Sequence, residues 1–219
     1  MHLFYKKMNY PILMADIIQS RQQEGSGLME AFKKLVMQLN QSHRHALLSP
    51  LTITLGDEFQ GVAKDLSAAL QIVFACEEGI IQQQLGIQMR FVLVHGPIDT
   101  AINEERAHEM LGAGLTLARQ QLNLLKKNPS RFRMQFTEPA QPKENALNNG
   151  LFLYQSLVDA WKPKDWPAVS VLLQEPDYKL AAELLQIDKS SAWRRKKSLN
   201  IEAYVRCKEL LMYLLKTEN

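Results

Sequence analysis

The stretch "LTITLGDEFQG", residues 51–61, runs from alternating apolar and β-branched residues into a glycine and then into two adjacent acids, Asp57 and Glu58. Such alternation is typical of a half-buried strand, and a Gly-Asp corner is typical of a hairpin turn. We therefore expect a strand over 51–55 and a hairpin partner over "EFQGVA" (58–63). The two carboxylates at the tip then need either water or a positively charged partner.

Apolar periodicity outside this hairpin predicts three further strands and four helices before the C-terminal segment. The strands are expected at 11–20, 88–96 and 131–136, and the helices at 27–42, 64–84, 106–127 and 151–161. Residues 97–102 are expected to continue as a hairpin, and the Pro- and Asn-rich segment 137–150 is expected to be a loop. This order predicts an α/β fold, an α+β sandwich of the ferredoxin-like kind, with a mainly antiparallel sheet and helices packed on one face.

The composition is that of a globular protein with a sizeable core, since 46% of the 219 residues are apolar and 22% are charged. The net charge of +3 is too small to identify a partner by itself. Cys76 and Cys207 form neither a disulfide framework nor a zinc spacing. The N-terminal apolar run is too short to span a membrane and contains Asp16. We therefore expect no membrane partner, no export signal and a cytoplasmic location.

Asp16 is the unusual residue of the first strand, because an ionised carboxylate among apolar side chains is costly unless it is paired or metal-bound. If this strand lies beside the hairpin, Asp16 meets Asp57 and Glu58, and a divalent cation relieves their repulsion. The sequence therefore predicts a Mg²⁺ or Mn²⁺ site. The alternative is that the hairpin acids form a solvated turn and that Asp16 caps a helix beginning near Ile17.

Four segments, "ILMADIIQSR", "LTITLGDEFQG", "MRFVLVHGPID" and "GAGLTLARQQLNLLKK", occur in an order that resembles the SatD family of bacterial proteins over nearly the whole chain. The first part also resembles the palm-like fold of class III nucleotidyl cyclases and GGDEF-type diguanylate cyclases. That resemblance implies that Asp16, the Ile17 carbonyl, Asp57 and Glu58 bind metal.

The same resemblance implies a nucleotide partner, contacted by Gly56 and Arg119. Arg21 is a further candidate for a phosphate contact, because it follows Asp16 by five residues. Arg21 is equally compatible with an ordinary surface charge. The glycines of "GAG" (112–114) either let a phosphate approach a helix start or only ease contact between a helix and the sheet.

The C-terminal segment 177–200 has the pattern of a helix-turn-helix, with a short apolar helix, the turn "QID" and the basic helix "KSSAWRRKKSL". Ser190 or Ser191 is expected near the N-cap of the second helix. Six residues are predicted to bind DNA: Ser190, Ser191 and Arg194 at base edges or nearby phosphates, and Arg195, Lys196 and Lys197 at phosphates. The alternative is a solvated basic face on a helical appendage, or a scaffold that binds protein.

The last helix, 201–216, carries an apolar stripe that either supports this motif or forms a homodimer interface. We thus expect a nucleotidyl-cyclase-like domain over 1–150 and a small all-α helix-turn-helix domain over 151–219. The function that follows is a cytoplasmic two-domain regulator, in which a domain that binds metal or nucleotide is coupled to a DNA-binding one. Two alternatives stay open: an active Mg²⁺- or Mn²⁺-dependent nucleotidyl cyclase or nucleotidyltransferase, and a catalytically degenerate protein-interaction module.

Overall fold

The computed structural model describes residues 8–18, 26–54 and 56–216. The five strands within these residues are β1 (Asn9–Ile17), β2 (Leu47–Ile53), β3 (Glu58–Ala63), β4 (Met89–Pro97) and β5 (Phe132–Phe136). The eight α-helices of the described ranges are α1 (Ser26–Ser42), α2 (Leu66–Gln82), α3 (Ala113–Leu125), α4 (Gln141–Asp159), α5 (Trp166–Gln174), α6 (Tyr178–Leu185), α7 (Lys189–Ser198) and α8 (Ile201–Lys216). The predicted hairpin forms, but its first strand begins at Leu47 rather than at residue 51.

The strands form one sheet in the order β2-β3-β1-β4-β5. β3 lies between β1 and β2 and is antiparallel to both, as in a split βαβ unit. β4 is antiparallel to β1, and only the pairing of β4 with β5 is parallel. The expected mixed fold with a mainly antiparallel sheet is therefore confirmed. The expected hairpin over 97–102 is wrong, because β4 ends at Pro97 and no strand follows before β5 in these described residues.

Helices cover both faces of the sheet, so the prediction that they pack on one face is wrong. Leu13, Ala15 and Ile17 of β1 belong to a core shared with α1, α2 and α4. Ile12 and Met14, which alternate with them, belong to a second core shared with α3. A strand that is apolar without interruption is buried on both faces, and the run in β1 is of this kind.

An irregular segment before α3 and a glycine within α3 place this helix close to the sheet. The expected helix start at 106 is wrong, since residues 98–112 pack as irregular chain and α3 begins at Ala113. The backbone N–H of Ala107 donates to Thr52 Oγ1 at 2.8 Å. A Cβ added at Gly114 would lie 2.8 Å from the carbonyl carbon of Gly96 in β4. The "GAG" glycines therefore allow close contact between helix and sheet.

The predicted loop over 137–150 is also wrong, because α4 begins at Gln141. Pro142 is tolerated in the first turn, where a backbone N–H has no helical partner. Asn148 projects from α4 and bonds the backbone of Met134 in β5, accepting at 2.9 Å and donating at 2.8 Å. The polar residues that indicated a loop instead attach the helix to the edge of the sheet.

The C-terminal helices share the core of the sheet. Tyr204 and Leu211 of α8 are 1% and 0% exposed and lie in the same apolar cluster as β1 and β4. The apolar stripe of α8 thus packs within its own chain, mainly against α4. The boundary predicted near residue 150 falls inside α4, and the division into two domains stays a prediction. Across the described ranges, no helix is both long and apolar enough to cross a membrane.

Candidate functional site

Two buried carboxylates face each other where β1 meets β3. Asp16 and Glu58 are cross-strand partners in the antiparallel register and are 2% and 5% exposed. Side chains of directly opposed residues point to the same face, here the face that carries α3. The alternative that Asp16 caps a helix is wrong, because Asp16 belongs to β1. Asp16 therefore meets Glu58, one of the two hairpin acids that the sequence predicted it to meet.

Three basic side chains surround this pair. Lys126, at the C-terminal end of α3, is 3.3 Å from Asp16 Oδ2 and 3.1 Å from Glu58 Oε1. Arg90 of β4 donates to both oxygens of Asp16 at 3.4 Å. Arg119 of α3 donates to Glu58 Oε2. We call these five residues the acid–base cluster.

Burial and ion pairing shift the pKa values within the cluster in different directions. Burial raises the pKa of Asp16, and the neighbouring Arg90 and Lys126 offset this only in part. Burial also acts to raise the pKa of Glu58, but hydrogen bonds from Arg119 and Lys126 outweigh it and hold that pKa below its ordinary value. The two carboxylates in turn raise the pKa of Lys126 despite its desolvation. The pairing therefore favours the charged form of Lys126.

The hairpin tip completes this edge. The backbone carbonyl of Asp57 accepts from the N–H of Ile17 at 3.0 Å. Gly56 has φ +84°, a conformation that favours glycine, and a Cβ there would have nothing within 4 Å. The side chain of Ile17 is buried in the core of the opposite face. Arg21, predicted to contact nucleotide, lies outside the described residues.

The described side chains do not fit a divalent cation as they stand. Over residues 8–18, 26–54 and 56–216, no three His, Cys, Asp or Glu side chains converge on one point. The two acids that do meet, Asp16 and Glu58, already bond to three basic groups. The metal ligation predicted for Asp16, Ile17, Asp57 and Glu58 stays a prediction.

A second candidate site lies on α6 and α7. Gln186 ends α6 in the left-handed conformation, and residues 186–188 separate the two helices. The N-cap of α7 is Asp188, rather than the predicted Ser190 or Ser191. Its carboxylate accepts from the backbone N–H of Ser191 at 2.9 Å and from both serine hydroxyls at 2.6 Å. These bonds hold the pKa of Asp188 far below its ordinary value.

The basic residues of α7 face outward. Arg194, Arg195 and Lys197 are exposed, and Lys196 is partly buried with its ammonium donating to the carbonyl of Pro176. Arg194 donates to Ser191 Oγ at 3.2 Å. The serines predicted to contact DNA thus lie between Asp188 and Arg194, with their protons turned toward Asp188.

Sequence reasoning named Arg119 but missed Arg90 and Lys126 at the first site, and it missed a second buried ion cluster. Arg90 interrupts the apolar strand β4 and faces Asp16, so a charge in a buried strand was the available signal. Lys126 carried no comparable signal. Arg131, 4% exposed, donates to Glu77, Asp159 and the carbonyl of Met89.

Comparison with known proteins gives a family and several solved structures. The SatD family matches residues 10–215. A bacterial light-regulated adenylyl cyclase aligns with a TM-score of 0.47 and 13% identity, over 59% of this chain and 76% of that one. The catalytic core of a rhodopsin-guanylyl cyclase with converted specificity aligns at 0.42 and 17%, over 53% and 72%. The guanylyl cyclase Cya2 aligns at 0.41 and 11%, over 54% and 71%. No curated protein matches the chain.

Proposed function

The chain belongs to the SatD family, and from that premise we propose that it is a DNA-binding regulator whose helix α7 enters the major groove. The observation that carries the proposal is the exposed basic face of α7, which follows α6 after a turn of three residues. A helix of this kind fits the major groove of B-DNA, and its first turns approach base edges. α6 and α7 then act as a helix-turn-helix.

The contacts within α7 give its polar residues different roles in DNA binding. Arg195 and Lys197 are exposed and neutralise phosphates, although Lys197 also forms an exposed ion pair with Glu202 at 3.5 Å. Arg194 is restrained by the serine hydroxyls, which Asp188 in turn orients. An arginine held in this way is suited to the N7 and O6 acceptors of guanine. Ser190 and Ser191 therefore act mainly by orienting Arg194, and Lys196 supports α7 from its bond to Pro176.

The test is DNA binding by fluorescence anisotropy across a salt titration, after selection of bound fragments from genomic DNA. The double variant Arg195→Ala/Lys197→Ala removes two phosphate contacts. The slope of log K against log[salt] is negative, and its magnitude should therefore decrease by about 2. The matched control is Lys33→Ala/Lys34→Ala, which removes two exposed charges from α1 and should leave the slope unchanged. A flat salt dependence for the wild type, or equal losses in both double variants, would contradict DNA binding through α7.

A second candidate function is nucleotide binding at the acid–base cluster. The side chains of Arg119 and Lys126 are 35% and 41% exposed, so they offer positive charge at the surface beside the hairpin tip. Phosphate groups are the natural partners of such a pair. In this reading the sheet binds nucleotide and the C-terminal helices bind DNA, as in the two-domain regulator predicted from the sequence.

Thermal denaturation with a panel of nucleotides, with and without Mn²⁺, tests that second function. A nucleotide present at 100 times its Kd should stabilise the native state by about 2.7 kcal/mol and raise the Tm. Asp16→Ala and Arg119→Ala should change that response, since both alter the cluster. If no nucleotide raises the Tm, the degenerate interaction module is favoured for this part of the chain.

The alternative of an active cyclase or nucleotidyltransferase has its own test. Incubation with each nucleoside triphosphate and Mg²⁺ or Mn²⁺ should yield a cyclic or oligomeric product if the chain is an enzyme of this class. The product must disappear in Asp16→Ala. Identical product traces from the wild type and this variant would exclude the alternative.

A further inference from the structure

The two carboxylates of the acid–base cluster are neutralised from within the chain. Asp16 and Glu58 are opposed across neighbouring strands and are almost fully buried. Two buried negative charges at this spacing repel each other and lose their hydration, so they need a cation between them. In this fold the group between them is the ammonium of Lys126, which contacts Asp16 at 3.3 Å and Glu58 at 3.1 Å.

The position of Lys126 suits this role. It is the C-cap residue of α3, so its positive charge lies at the negative end of the helix dipole, which favours a cation there. Its side chain is still 41% exposed, which limits the desolvation of the ammonium. The neighbouring Lys127 is exposed and contacts neither carboxylate among the ion pairs of the described residues.

The arginines leave little need for a further cation. Arg90 bonds Asp16, and Arg119 bonds Glu58, so three positive groups already face two negative ones. A divalent ion would add two charges to a cluster that is already positive. It would also need oxygen ligands at about 2.0–2.1 Å for Mg²⁺, which the interposed ammonium prevents.

We propose that the Lys126 ammonium takes the place of a divalent cation between Asp16 and Glu58, so that the wild-type protein binds no divalent metal at this edge of the sheet. The inference does not depend on DNA binding by α7. It differs from the metal site predicted from the sequence. Asp16 and Glu58 would bind a divalent cation only after Lys126 is removed. Removing Lys126 leaves each carboxylate with one arginine partner and opens the space between the two acids. Carboxylate oxygens are the ligands that Mg²⁺ and Mn²⁺ prefer.

The experiment is a Mn²⁺ titration of the full chain, followed by the loss of the free-ion signal in electron paramagnetic resonance and by the Tm. The variants are Lys126→Ala and Lys126→Met, the second of which keeps an apolar stem of similar length. Lys127→Ala is the matched control, because it removes the same charge one residue away. Lys126→Ala/Asp16→Asn locates any new site, and Asp16→Asn alone shows whether any binding by the wild type uses Asp16.

The wild type and Lys127→Ala should bind no Mn²⁺ that depends on Asp16, and their Tm should not respond to the ion. Lys126→Ala or Lys126→Met should bind one Mn²⁺ with a rise in Tm, and Asp16→Asn should abolish that binding. Two results would overturn the proposal: Mn²⁺ binding by the wild type that is lost in Asp16→Asn, or no Mn²⁺ binding by folded Lys126 variants.

Discussion

A buried guanidinium joins three elements at one end of the sheet. Arg131 precedes β5 and forms a salt bridge with Glu77 of α2 at 3.0 Å and with Asp159 of α4 at 2.7 Å. Removing one partner of a buried ion pair leaves the other charge uncompensated, which costs about 3–5 kcal/mol. Glu77→Gln should therefore lower the free energy of unfolding by about 3 kcal/mol in urea titrations.

The control for that substitution is Glu30→Gln, the same chemical change at an exposed position of α1. Surface substitutions of this kind usually change stability by less than about 0.5 kcal/mol. Equal effects of the two variants would mean that the Arg131 cluster adds nothing beyond an ordinary surface charge.

Glu58 gives the acid–base cluster a pH dependence of predictable sign. Its pKa is lowered in the folded state from the ordinary value of 4.5, because hydrogen bonds from Arg119 and Lys126 outweigh its burial. The unfolded state then binds the proton more readily, so the stability from Glu58 is fully present above pH 4.5 and is lost as the pH falls through the folded pKa.

The difference in urea midpoint between the wild type and Glu58→Gln should therefore be constant above about pH 5 and shrink in more acidic solution. Asp16 acts in the opposite sense, because burial raises its pKa. A difference that grows on acidification would contradict the pairing of Glu58 with Arg119 and Lys126.

The contact between α3 and the sheet depends on a glycine. A Cβ at Gly114 would lie 2.8 Å from a backbone carbon of Gly96 and 3.0 Å from its oxygen, and backbone atoms have little room to move. Gly114→Ala should lower the free energy of unfolding by about 1–3 kcal/mol, as overpacking does. Gly27→Ala in α1, where a Cβ meets nothing within 4 Å, should be neutral or slightly stabilising. Equal losses of stability would show that the close approach is unimportant.

At the scale of the whole molecule, the C-terminal helices share the core of the sheet. Leu211 is fully buried, and a Cβ at Gly150 of α4 would meet its side chain at 2.7 Å. If this shared core makes the chain one cooperative unit, tryptophan fluorescence and circular dichroism should report the same urea transition. The three tryptophans all lie beyond residue 160, so fluorescence follows the C-terminal helices and circular dichroism follows the entire chain.

In that single transition, Leu211→Ala should lower the free energy of unfolding by about 2–5 kcal/mol, because it removes a buried side chain and leaves a cavity. The division into domains over 1–150 and 151–219 predicts the other outcome, two transitions of which only the second responds to Leu211→Ala. Sedimentation of the same samples tests the predicted homodimer, which must use a surface other than the buried stripe of α8.

The sequence by itself determined the local elements, whose form depends on residues that are close together in the chain. The alternation and the Gly-Asp corner of 51–61 predicted the hairpin, and the pattern of 177–200 predicted two helices and their turn. Local patterns gave a wrong prediction where contacts between distant residues matter. The segment predicted as a loop includes the start of helix α4, and Asn148 attaches this helix to β5. Asp16 was recognised as costly, but its partners were not.

Only the tertiary structure decided which charges meet. Lys126 lies 68 residues along the chain from Glu58, and Arg90 lies 74 residues from Asp16. No periodicity relates residues so far apart, because their distance is set by strand order and by how α3 packs on the sheet. The sequence therefore predicted an acidic edge that needed a cation, and the fold supplied that cation from the chain itself.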